Sequence, residues 1–189
     1  MQFELTSEQI AQFNEDGFLV VDKLIDDEMV EAIRERYERL FRGDFETGIP
    51  PDEVNWQMGE SDSSLTRQIC NGWKADRTIA SVVMRADLGK AIAKIGGWPG
   101  SRLLVDNLLW KPPGTRSLAF HQDNAYLEWF QPTEVLSCWM ALDDTRADAG
   151  TIEFVRGSHR WHHSQPEGEF HGPKEYHKYM EQAAAKEGV

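Results

Sequence analysis

The chain changes texture near Pro99, and that change limits what it can fold into. Before it, apolar residues recur at steps of three and four. After it come short runs rich in β-forming side chains. These runs, residues 102–110, 117–121, 134–142 and 151–155, are separated by Pro-Pro-Gly, Gln-Pro-Thr and Asp-Ala-Gly turn signals. Helices first and short strands later predict a mainly β core with a helical layer packed on it.

The helical half carries local punctuation. Thr6 and Gln9 form a capping-box pattern, Leu5 and Ile10 are placed for a hydrophobic staple, and Gly17 follows the last turn. Residues 18–21 suit a short strand. Asp26 or Asp27 then caps a second helix with Met29, Val30, Ile33, Tyr37, Leu40 and Phe41 on its apolar side, and Gly43 ends it. Residues 44–76 mix Gly, Pro, Asp and Ser without a clean period and read as a long loop. A third helix is predicted over 78–95, stopped by Gly96-Gly97. From Glu167 the chain is polar, and 174–186 suits a terminal helix. No internal repeat is visible.

A length of 189 residues suits a single domain. Its expected parts are a helical layer and loop over 1–98, a strand region over 99–161 and a polar tail over 162–189. The net charge of −12 makes nucleic acid and anionic membranes poor partners. No apolar run approaches membrane-spanning length and the opening does not resemble a signal peptide, so a cytoplasmic protein is expected. Cys70 and Cys138 form no metal-binding spacing and read as reduced, buried thiols.

The chemistry concentrates in Phe120-His121-Gln122-Asp123. On a strand, side chains two apart project to the same side, so His121 and Asp123 could offer a nitrogen and an oxygen to one metal ion. Such a pair is two-thirds of the 2-His-1-carboxylate triad that holds non-haem Fe(II) with open positions. A lone His-x-Asp is common by chance. Here it follows a strand-like run, sits among Phe120, Tyr126, Trp129 and Phe130, and precedes two further strand-like runs.

Several blocks together resemble the phytanoyl-CoA dioxygenase family of Fe(II)/2-oxoglutarate oxygenases. They are Leu5-Thr6-Ser7-Glu8-Gln9, Glu15-Asp16-Gly17-Phe18-Leu19-Val20-Val21, Trp110-Lys111-Pro112-Pro113-Gly114, His121-Gln122-Asp123, Trp139-Met140-Ala141-Leu142-Asp143-Asp144, and the stretch from Gly150 to His159. The resemblance runs from Leu5 to about Trp161. It implies a double-stranded β-helix, the cupin-like jelly roll, with flanking helices. It implies His121 and Asp123 as iron ligands, Gln122 as a contact to 2-oxoglutarate, and Trp139 as a wall of the cosubstrate pocket or an ordinary core residue. Lys111 caps a strand end or lends a cation to the pocket. His159 reads as a turn residue in Gly157-Ser158-His159.

The family's distal histidine and its cosubstrate-binding arginine lie on later strands, and no Arg follows Arg160 here. The expectation is a jelly roll lacking its last strands, with those two residues beyond Val189. If this chain supplies the third ligand, His171 is the candidate and His177 stands behind it.

The implied activity is hydroxylation of a small, partly apolar organic substrate using Fe(II), O2 and 2-oxoglutarate, which is decarboxylated to succinate. Asp123 occupies the position that related halogenases keep small, which favours hydroxylation. Residues 44–76 and 124–131, with Trp56, Trp73, Tyr126, Trp129 and Phe130, are where substrate choice is expected. The competing readings are a silent jelly-roll binding domain and a cupin-like metalloenzyme that does not use 2-oxoglutarate.

Overall fold

The computed structural model describes residues 3–127, 129, 131–132, 134–162 and 175–189. His163, His171 and Phe130 lie outside the described residues, as does the side chain of Tyr126.

The first helix, α1 (Ser7–Asp16), starts where its capping box predicts. The Gln9 N–H donates to Thr6 Oγ1 at 3.2 Å, and the Thr6 N–H donates to Gln9 Oε1 at 2.9 Å. Gly17 closes it in the left-handed conformation at φ 84°, its N–H bonded to Phe13 O. The second helix, α2 (Asp27–Phe41), is capped by Asp26 through the Met29 N–H at 2.8 Å. Ile33, Leu40 and Phe41 form its buried stripe.

Residues 44–76 are more ordered than a long loop. They contain β1 (Glu53–Val54), β2 (Arg67–Cys70) and a 3-10 turn at Gly72–Lys74. With β3 (Asn107–Trp110) the strands make an open antiparallel sheet in the order β1-β2-β3. Val54 pairs with Ile69, and Ile69 with Leu108. Two residues are too few to carry a period-two signal, and only Ile69 of β2 is fully buried, so this region shows little alternation.

The helix expected over 78–95 is two helices, α3 (Arg77–Val83) and α4 (Ala86–Gly96). The break falls at Arg85, which takes an extended conformation and sends its guanidinium into a clamp. Arg85 bonds Leu24 O at 2.7 Å and both carboxylate oxygens of Asp87, and Asp87 also accepts the Phe3 N–H at 2.8 Å. Separating the helices lets α3 pack on α2 while α4 packs on α1.

The core lies between α2, α3 and the sheet. Ile69 and Leu108 meet Ile33, Leu40, Phe41, Ile79 and Val82, and Trp56 closes one side against Phe41. At the centre sits Asp76, with no solvent exposure. Its Oδ1 accepts the Thr78 and Ile79 N–H groups, capping α3, and its Oδ2 accepts Arg36 Nε from α2.

The strand-rich half departs most from expectation. Of 102–110 only the last four residues pair. The predicted strands at 117–121, 134–142 and 151–155 form no ladder among the described residues, beyond an isolated bridge at Leu118. Residues 18–21 form no strand either; Phe18 stacks on Phe154 at 5.3 Å. Strand-forming composition marks a fit to a pleated, half-buried surface, and without a neighbouring strand it produces no ladder. Both thiols are free, Cys70 half-buried and Cys138 exposed, so neither is the fully buried thiol expected. Near the end of the chain, α5 spans Tyr176–Glu187. No helix among the described residues is long and apolar enough to cross a membrane.

Two outcomes test these joints. Asp76→Ala leaves the largely buried Arg36 with only its longer contact to Glu46, at 3.9 Å, and α3 without its cap. It should cost about 3–5 kcal/mol of unfolding free energy by urea titration, and a loss below about 1 kcal/mol would sink the assignment. The hydrogen bond from Arg85, followed by the Phe3 amide, holds the Asp87 carboxyl well below the usual carboxylate range. Its stabilisation is therefore complete above about pH 4 and is lost as the pH falls below that. Asp87→Asn should lower the urea midpoint at pH 7 and flatten its decline below pH 4.

Candidate metal centre

The chain enters the site through Ala119, which is buried and anchors the segment. His121 Nδ1 lies 2.8 Å from Ala119 O. A carbonyl can only accept, so Nδ1 carries a proton, and Nε2 is the ring nitrogen that faces Asp123. His121 Nε2 and Asp123 Oδ1 are 3.3 Å apart, with side chains 26% and 51% exposed. The two groups share a side as their spacing predicts, but no paired strand carries them. Asp123 opens a 3-10 turn, Asp123–Tyr126, whose Ala125 N–H returns to Gln122 O.

Asp123 is held from its other oxygen as well, because Ser137 Oγ donates to Oδ2. Ser137 belongs to the 134–142 segment, distant in sequence. Burial opposes charge on His121. The bonds to the Asp123 carboxylate and the Ala119 carbonyl outweigh it and raise the imidazole pKa above its ordinary value. The hydrogen bond to His121, against burial and with help from Ser137, lowers that of Asp123. Each group thus favours the charged form of the other.

Two donors bound cis to one ion at bond lengths near 2.1 Å lie about 3 Å apart. The observed separation fits that requirement, and an imidazole with a carboxylate is a donor set suited to non-haem iron. The described residues contain no group of three His, Cys, Asp or Glu side chains able to hold a metal ion. His171 is outside the described residues. His177 packs its ring 5.9 Å from Phe120, next to the site, with Nε2 3.0 Å from Glu153 Oε2.

The remaining expected residues make contacts of their own. Gln122 directs its amide away from the pair, donating from Nε2 to Ser158 O at 3.0 Å and Trp161 O at 3.4 Å. Its Oε1 is buried without a partner among the described residues. Lys111 Nζ donates to Gly150 O at 3.1 Å. Trp139 is exposed on the unpaired 134–142 segment. His159 sits in the 3-10 turn Ser158–Arg160. Trp56 is a core residue and Trp73 packs against that core, whereas Trp129 is 70% exposed.

Two further residues have no local signal. Ser137 is visible only once the chain folds back on Asp123. Arg67 is the other. Its guanidinium lies 3.9 Å from the Trp56 ring centroid and 4.3 Å from that of Trp110, a cation between two indoles. Its Nε is buried without a hydrogen-bond partner among the described residues. Only the pairing of Arg67 with Trp110 across the sheet could have revealed that arrangement.

Comparison with known proteins gives the family. The family model described as Phytanoyl-CoA dioxygenase (PhyH) matches residues 13–187, and the chain belongs to this family. Relatives carrying the name "Phytanoyl-CoA dioxygenase, peroxisomal" include those of Mus musculus, 26% identical over 92% of this chain and 54% of the relative, and Homo sapiens, 25% identical over 91% and 55%. That of Bos taurus is 22% identical, over 92% and 56%. The chain therefore spans about half the length of these relatives. No solved structure matches.

Ser137→Ala should weaken Mn(II) binding about tenfold, as loss of a group orienting a metal ligand does. The urea midpoint should scarcely move, since Ser137 is exposed. Unchanged affinity would show that the hydroxyl does not orient Asp123.

Proposed function

We propose that this chain carries the iron-binding half-site of an Fe(II)/2-oxoglutarate-dependent dioxygenase that hydroxylates a small, partly apolar organic substrate. The observation that carries the reading is the 3.3 Å approach of His121 Nε2 and Asp123 Oδ1 in a chain of this family. In this reading His121 and Asp123 hold the metal. His171 is a candidate third ligand from this chain. The strand region over 99–161 belongs to a jelly roll layered by the helices of 1–98, with 162–189 as a tail. Fe(II), 2-oxoglutarate and O2 together supply the oxidising chemistry, in which the cosubstrate is converted to succinate and CO2.

The protein's own contributions can be assigned residue by residue. The Ala119 carbonyl fixes the His121 tautomer, and Ser137 fixes the second oxygen of Asp123. A dicarboxylate cosubstrate needs cations. Lys111 and Arg67 flank Trp110 along and across the sheet, and Arg67 makes no ion pair or side-chain hydrogen bond among the described residues. We assign Arg67 to a cosubstrate carboxylate, with Lys111 adding positive charge nearby. Trp129 and Trp139 offer exposed apolar surface for the substrate. Asp123 fills the place a halide would need, which supports hydroxylation.

One observation favours a second reading, a binding domain without turnover: no third ligand-type side chain joins the pair among the described residues. A single preparation separates the two. Anaerobic Fe(II) with 2-oxoglutarate should give a weak visible charge-transfer band that Asp123→Ala removes, and adding O2 should release succinate. Arg67→Met should raise the 2-oxoglutarate concentration required by about tenfold or more, the loss of one charged hydrogen bond. No band and no succinate would leave the binding-domain reading standing.

A further inference from the structure

Behind the candidate metal pair, two distant parts of the chain lock together. The 157–161 turn is seated on the end of α1. The Gly157 N–H donates to Asp16 O at 2.8 Å, Arg160 donates to Asn14 O, and His159 Nε2 lies 3.3 Å from that same carbonyl. Arg156 Nε stands 3.4 Å from Asp16 Oδ1, and Phe18 stacks on Phe154. The fit is tightest at Gly17, where an added Cβ would fall 2.2 Å from His159 Nδ1. The other side of the turn holds the site. Gln122, between the two candidate ligands, donates its amide nitrogen to the carbonyls of Ser158 and Trp161.

We infer that Gln122 is a positioning residue, which ties the His121–Asp123 segment through the 157–161 turn to the end of α1 and so sets the angle at which the two ligands face one ion. The inference rests on the reading of His121 and Asp123 as metal ligands. A side chain between two same-facing neighbours projects to the other side. Anchoring it there blocks the segment from rotating about its own axis, the motion that would part the imidazole from the carboxylate. The anchor is rigid because α1 is capped at both ends and its last carbonyls are engaged by the turn.

Three variants of the full chain test this. Gln122→Met keeps the side-chain length and removes the donor. Gly17→Ala drives a methyl group into His159. Gly97→Ala is the control: it imposes the same left-handed strain at the end of α4, φ 66°, where an added Cβ meets nothing within 4 Å. Mn(II) affinity, read from the free-ion paramagnetic resonance signal, should fall about tenfold in the first two and change less than about twofold in the control. A metal-free measurement accompanies it. Amide exchange at Ala125 and Leu127, whose N–H groups bond Gln122 O and Asn124 O, should quicken in Gln122→Met and Gly17→Ala alone. Unchanged exchange in Gln122→Met, or equal changes in all three variants, overturns the inference. If the unaltered protein bound no Mn(II), the ligand reading would fall, while the exchange comparison would still decide the tie.

Discussion

A carboxylate cut off from solvent, Asp76, joins the two helices that back the sheet. One of its oxygens caps α3 and the other receives Arg36 from α2, so a single group fixes the distance and direction between them. Removing a carboxylate from water is costly, and the cost is tolerable only because three donors converge on it. With α2 and α3 so fixed, Ile33, Leu40 and Ile79 present one apolar surface to Ile69 and Leu108. The sheet laid on that surface delivers Trp110 and Lys111 toward the half of the chain that bears the candidate site.

In that half the organising forces are polar and local. Few ladder bonds hold it among the described residues. Its order comes from side chains reaching backbone carbonyls: Lys111 to Gly150, Gln122 to Ser158 and Trp161, Arg160 to Asn14. Such contacts place individual groups accurately without making a continuous sheet. Here they bring a histidine and an aspartate together. They do so on a surface where Ile152, Phe154 and Trp139 remain substantially exposed.

The parts of this architecture legible in the sequence are those whose partners are near in the chain. Thr6 with Gln9, Asp26 with Met29, and Gly17 after α1 are contacts spanning four residues or fewer. The His-x-Asp pair is legible for the same reason. What failed depended on distant pairing. β2 meets β3 across more than thirty residues of chain. Arg67 acquires its two indoles only through that register, and Ser137 meets Asp123 only when the chain folds back. The continuous apolar period over 78–95 hid the break at Arg85, because a guanidinium seeking Leu24 O and Asp87 leaves no trace in hydrophobic spacing. The runs at 134–142 and 151–155 show the converse: composition suited to strands, with no paired neighbour among the described residues.

Cys138 occupies an unusual address. It is a free, exposed thiol directly following the serine that steadies Asp123, while the other thiol, Cys70, is half-buried against Gln68 and Asn107. The molecule therefore holds a native attachment point for a maleimide or nitroxide label beside its candidate ion site, although burial of the sulfur raises the thiol pKa, so that labelling calls for mildly alkaline buffer. A reporter group fixed there would sense through space whatever cation the neighbouring imidazole and carboxylate take up.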